Sequence, residues 1–233
     1  MTDPFYEPYD REDVAYGEEP SASLSAYLDQ VGGGGKALDL GAGAGRDSIA
    51  LALAGYHVLS VDLSNRGLER VLQRAVRAGV RDRVETHEID VRDVELPADS
   101  FDVIVATTVL DHISPEDSAV LWRRMTEALT ANGMLYVQVH TIEDPGSDQP
   151  PGVFSEAPVS ETAGAVVNYF SPNQLAMMAC DPSSRLRVLR YEERLEWDYT
   201  HGPEHLHGKA VLLAVRMGAF PAWYGEPAAF PRR

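Results

Sequence analysis

The chain is poor in cysteine: its 233 residues include one, Cys180. No internal disulfide and no cysteine-only metal site can form from a single thiol, and Cys180 reads as a small hydrophobe filling a helix end. Positive charge is also scarce, with 20 Lys and Arg against 36 Asp and Glu, for a formal net charge of -16. Nucleic-acid affinity is built from Lys and Arg that neutralise phosphates, so a DNA or RNA partner is disfavoured. Long apolar runs are missing too, and nothing approaches the roughly 20 residues that span a bilayer. The first residues, Met1 to Pro4 followed by Glu7, Asp10 and Glu12, lack the basic start and apolar stretch of an export signal. A cytoplasmic protein that does not engage membranes is expected. At this length one α/β domain with a sizeable core is sufficient.

The informative residues are concentrated near position 40. Lys36 to Leu40 is a short, mostly apolar run, followed by Gly41, Ala42, Gly43, Ala44 and Gly45. Arg46 to Ala54 reads as a helix that becomes apolar after its first turn, and Tyr56 to Val61 as the next strand. Strand, glycine turn and buried helix in that order make the nucleotide loop of a βαβ unit. Glycines there let the backbone turn sharply and let a ligand approach main-chain atoms where a Cβ would collide. Asp62 lies 21 residues after Gly41, near the spacing at which an acidic side chain accepts hydrogen bonds from a ribose diol. An adenosine derivative is therefore the expected ligand. Dinucleotide folds space their glycines G-x-G-x-x-G to seat a pyrophosphate, whereas these run G-x-G-x-G and the sixth position is Arg46. Asp39, just before the loop, would repel a pyrophosphate and suit a ligand carrying an ammonium and a sulfonium, as S-adenosylmethionine does.

With Asp39, Leu40 and this glycine run the chain resembles the class I S-adenosylmethionine-dependent methyltransferases. The resemblance implies a Rossmann-like α/β fold, a seven-stranded and mostly parallel sheet in the order 3-2-1-4-5-7-6, closed by a C-terminal antiparallel hairpin. It implies that Asp39, Gly41, Ala42, Gly43 and Gly45 wrap the methionyl part and that Asp62, with Leu63 beside it, holds the ribose. Asp90 and Val91 would then face the adenine, and Thr107 would line the same crevice from the fourth strand.

The remaining elements follow from pattern. Ser21 to Val31 reads as a short helix, and Leu68, Val71, Leu72, Ala75 and Val76 fall on one stripe of a helix from about Ser64 to Ala78. Val84 to Asp90 and the β-branched run Phe101 to Ala106 read as strands three and four. Ser114 caps the next helix with Pro115 at its first position, and Leu121, Met125, Ala128 and Leu129 face the core. Met134 to Val139 is strand five, ending at His140. The polar, proline-rich stretch from Thr141 to about Val166 reads as a lid over the acceptor pocket. Ser171 and Pro172 start another helix, and residues 186–199 and 210–216 form the closing hairpin. Residues 1–31 would cap a single domain, with Tyr6, Tyr9 and Tyr16 as candidate lid residues. The aromatic tail 218–233 would dock on the domain or on a dimer mate.

Ligands in an open α/β sheet bind beyond the carboxyl ends of the strands. Methyl transfer is an in-line displacement at a sulfonium, so holding the nucleophile near attack distance supplies most of the rate and a strong base is optional. An imidazole that titrates near neutrality is the natural proton acceptor, which points to His140 and His112. His140 is better placed, and His112 leans toward packing or cofactor contact. A looser likeness to the tellurite-resistance and thiopurine methyltransferase branch puts His201 and Lys209 on the acceptor side. His201, Glu204, His205 and His207 are ligand types that suit zinc or iron, but a short His-rich loop is more often solvated or substrate-facing, so no metal is assigned. The expected reaction is methylation of an O, N or S atom of a small molecule. Its rivals are transfer or cyclisation of the aminocarboxypropyl arm, and a non-catalytic S-adenosylmethionine-binding protein.

Overall fold

Lys36–Leu40 forms β1 and is buried at every position but the first, as befits a strand covered by helices on both faces. The computed structural model describes residues 17–147, 166–198 and 204–217. Around β1 lie α1 (Ala22–Val31), α2 (Arg46–Leu53), β2 (His57–Asp62), α3 (Asn65–Arg77), β3 (Val84–Glu88), β4 (Phe101–Thr107) and α4 (Pro115–Ala128). β5 (Leu129–His140), α5 (Gln174–Cys180), β6 (Leu186–Asp198) and β7 (His205–Arg216) follow. The strands make one seven-stranded sheet in the order β3-β2-β1-β4-β5-β7-β6. All neighbours are parallel except that β7 runs antiparallel to both β5 and β6. This is the Rossmann-like arrangement expected from the sequence.

Side chains of successive strand residues point to opposite faces, so each central strand feeds two cores. Ile104 and Ala106 join Leu38, Leu40, Leu121, Met125 and Val137 on one face, while Val103 and Val105 join Ala37, Val58, Val71 and Leu213 on the other. Each such fully buried aliphatic side chain contributes about 1.5–3 kcal/mol before the entropy of ordering it is subtracted. The helix starts are set by side chains. Ser21, Ser64 and Ser114 accept the backbone N–H of Leu24, Gly67 and Asp117, satisfying donors that the first helical turn leaves unpaired.

Several boundaries differ from the pattern-based reading. On α3 the buried face is Gly67, Leu68, Val71, Arg74 and Ala75, and Val76 is exposed. Arg74 enters the buried stripe because its guanidinium donates to the carbonyl of Ala44 at 3.0 Å. α5 begins at Gln174 rather than after Ser171: Asn173 adopts φ 63° and the Ser171 N–H donates to the Gln174 side chain at 2.9 Å, which makes a turn of this stretch. Cys180 at the end of α5 is exposed rather than buried. β7 starts five residues before the expected Ala210, at His205. Tyr6, Tyr9, Tyr16, most of the proposed lid, His201 and the aromatic tail lie outside the described residues. Among the described residues no helix is long and apolar enough to cross a membrane.

Candidate functional site

The loop after β1 is held in a shape that only glycine adopts without strain. Gly41, Gly43 and Gly45 have φ of 67°, 51° and 83°. Space is short as well: a Cβ on Gly41 would stand 2.6 Å from Val109 Cγ2, and one on Gly45 would stand 2.8 Å from Val71 Cγ2. Main-chain hydrogen bonds then fix the loop to the end of β2. The Ala42 N–H donates to the Val61 carbonyl at 2.9 Å, the Gly43 N–H to Asp62 Oδ2 at 2.8 Å, and the Ser64 N–H to Asp62 Oδ1 at 2.7 Å. A carboxylate accepts up to about four hydrogen bonds, so shaping the loop and binding a ribose diol are compatible tasks for Asp62. Leu63 beside it is exposed and offers an apolar edge.

Farther along the same edge, Asp90 lies just beyond β3. The Arg92 side chain and backbone N–H all donate to its carboxylate, at 2.5–2.9 Å, and this pairing holds Asp90 below its usual range. An adenine amino group would have to share Asp90 with Arg92. Val91 is partly buried against the core on the α4 side of the sheet.

Asp39 is 2% exposed, and the Ser48 hydroxyl donates to its carboxyl at 2.5 Å and meets the Ser60 hydroxyl at 2.8 Å. Burial, reinforced by Asp47, pushes its pKa up to about 8. A second buried carboxylate is that of Asp47, in the first turn of α2. Its Oδ2 accepts from the Thr107 hydroxyl at 2.8 Å, and its buried Oδ1 has no hydrogen-bond partner although Arg46 Nε lies 3.4 Å away. An Arg-Asp pair directly after a glycine turn was the sequence signal for this position.

A second group of side chains gathers where β4 and β5 end and β7 begins. The His140 N–H and His140 Nδ1 both meet Asp111 Oδ2, at 3.0 and 2.5 Å. The His140 ring lies 4.7 Å from the ring of His207 and 6.1 Å from that of His112. His207 Nδ1 is 2.8 Å from Asp144 Oδ2, and His207 Nε2 is 3.0 Å from His205 Nε2. His140, Asp111, Asp144, His205 and His207 are all at most 5% exposed. The expected solvated His-rich loop is thus corrected for these two histidines, because β7 extends back far enough to carry both into the sheet. Burial pushes the His207 pKa down to about 4 despite the pull of Asp144. Burial opposes ionisation of Asp111 and Asp144 too, but the charge of His112 and the hydrogen bonds from His140 and His207 hold both below the usual carboxylate range.

The approach of Asp144 to β7 depends on Gly208. A Cβ there would stand 2.4 Å from the Asp144 nitrogen, and the Gly208 N–H donates to Asp144 Oδ2 at 3.2 Å. Lys209, next along β7, is buried with its ammonium 2.7 Å from Glu196. Glu204 is exposed at the foot of β7. The sequence pattern brought out His140 and His112 but missed the partnership of Asp111 with His140 and of Asp144 with His207.

Residues 37–133 match the family model of a methyltransferase domain. The 27-O-demethylrifamycin SV methyltransferase of Amycolatopsis mediterranei (strain S699) is 28% identical over 91% of this chain and 84% of its own length. Among solved structures, TehB from Haemophilus influenzae superposes with a TM-score of 0.65 at 20% identity, over 84% of this chain and 62% of that one. The 1,6-didemethyltoxoflavin-N1-methyltransferase of Burkholderia thailandensis, solved with its substrate and S-adenosylhomocysteine, gives 0.59 at 21% identity over 84% and 77% of the two chains. At such identities the structural matches establish the fold. Residues 37–133 thus match a methyltransferase domain, and the chain has the fold seen in TehB.

Proposed function

We infer that the protein transfers the methyl group of S-adenosylmethionine to an O, N or S atom of a small molecule. The observation that carries this reading is the side-by-side placement of Arg46 and Asp47 at the mouth of the glycine loop, with a buried Asp47 oxygen that no hydrogen bond satisfies. Adjacent opposite charges of this kind match the carboxylate and ammonium of an amino acid. The Asp47 carboxylate would also repel a pyrophosphate, which a dinucleotide fold seats at this helix N-terminus. Asp62 would take the ribose hydroxyls, while Leu63, Asp90 and Val91 would border the adenine.

When bound, S-adenosylmethionine supplies an electrophilic methyl group on a positively charged leaving group. The chain's own contribution is then chiefly to hold the acceptor in line and keep water away. The residues from Thr107 to His112, with His140, border the space where the acceptor would lie. The rifamycin and toxoflavin enzymes named above act on small molecules, which supports the same substrate class here. Calorimetry with S-adenosylmethionine, S-adenosylhomocysteine and NADH tests the reading: binding of the two sulfur compounds and not of NADH is expected, and indifference to both overturns it. Turnover should yield S-adenosylhomocysteine. Methylthioadenosine as the product would reassign the reaction to transfer of the aminocarboxypropyl arm.

A further inference from the structure

We propose that the buried end of β5 and β7 binds one first-row divalent transition cation, zinc or a close analogue, through His140, His207 and the carboxylate of Asp144. One ligand atom from each lies within 4.8 Å of the others. Two imidazoles and one carboxylate suit Zn2+, Fe2+ or Mn2+ and fit poorly with Ca2+ or Mg2+, which take oxygen ligands.

Three further observations distinguish the group from ordinary polar packing. Asp111 holds His140 through Nδ1, the carboxylate-behind-histidine arrangement that orients a metal-ligating imidazole and leaves Nε2 to the ion. Asp111 Oδ1 is itself fully buried without a hydrogen-bond partner, and Asp111, His112 and His140 form an overlapping group of possible ligands. Among the described residues no Lys or Arg pairs with Asp111 or Asp144, since nearby Lys209 is engaged by Glu196. Two buried carboxylates whose partners are imidazoles and backbone N–H groups, with no fixed positive charge beside them, are costly, and a divalent ion compensates them directly. The ion would border the proposed acceptor space, but its binding does not depend on the methyltransferase reading.

The test uses the full chain, freed of any purification tag, stripped with EDTA and titrated with Co2+ and then Zn2+. Expected are one ion per chain with a Kd of about 1 μM or tighter, and visible cobalt absorption bands that zinc abolishes. His207→Gln should weaken binding more than tenfold, and Asp111→Asn by about 10–100-fold. Unchanged S-adenosylmethionine affinity in both variants would show that they fold. A wild-type titration without a saturable site overturns the proposal whether or not the variants fold. An unaltered cobalt spectrum in His207→Gln also overturns it. Loss of the methyltransferase reading with intact cobalt binding leaves this site standing.

Discussion

The two ends of the crevice are built by opposite means. At the glycine loop nearly everything comes from one stretch of chain, Asp39 to Asp62, and the shaping bonds are main-chain N–H groups donating to Asp62 and Val61. At the histidine end the contacts are side chain to side chain, between residues 29 and 63 positions apart: His140 with Asp111, His207 with Asp144. The first end is a backbone shape that tolerates little variation in residue type. The second is an assembly whose members are individually unremarkable in sequence and acquire chemistry only when the sheet closes. Loop residues should therefore control cofactor affinity, and histidine-end residues should control what happens to the acceptor.

Substitutions can break that division. Gly45→Val places a β-branched residue at φ 83° against Val71. The largest effect is expected here: calorimetry should find S-adenosylmethionine affinity reduced more than about 100-fold, or roughly 3 kcal/mol. Native-like affinity would refute the steric account of the loop. His140→Asn should lower turnover about 100-fold while leaving cofactor affinity within about twofold. A joint loss of both would mean that the two ends are not separable. Asp62→Ala should weaken cofactor binding several-fold to about 100-fold, about 1–3 kcal/mol, with little further change in the rate from a saturated complex.

Asp39→Asn should act on stability rather than on cofactor binding. Burial raises the Asp39 pKa from the ordinary 3.8 to about 8, so the folded state binds its proton more tightly than the unfolded state does. That stabilisation is complete below pH 3.8 and is lost as pH rises through 8. Asparagine cannot ionise, so the melting temperature of the variant should fall less than that of the wild type across this window. Parallel curves would show that Asp39 is ionised in the fold.

The strands and helices were largely legible because the strands are apolar runs between glycine turns and the helices carry serine caps, all of them local signals, while the order of the sheet came from the family resemblance carried by the glycine loop. The glycine loop and Asp62 were legible for the same reason. The sequence shows the acidity of Asp39 but not its burial against Ser48 of α2, which is a tertiary fact. Its neighbour Asp47 was passed over although it stands in the same short motif. The histidine end was only half visible: the alternation of His205 and His207 shows in the sequence, but the strand extension that buries them and the turn that brings Asp144 to them are tertiary facts. The start of α5 was misplaced because Ser171 and Pro172 carry helix-start chemistry in what proves to be a turn.

The pairing of β5 with β7 sets Val139 opposite Ala210 and His140 opposite Lys209, while Gly208 receives the turn that bears Asp144. Strand side chains alternate with a period of two, so inserting or deleting a single residue between His207 and Ala210 would swing both imidazoles through the sheet to the side packed by α4 and α5. Length, more than residue identity, is thus what this hairpin has to conserve. Relatives whose last strand differs there by one position should possess the glycine cradle and yet handle a different set of acceptors.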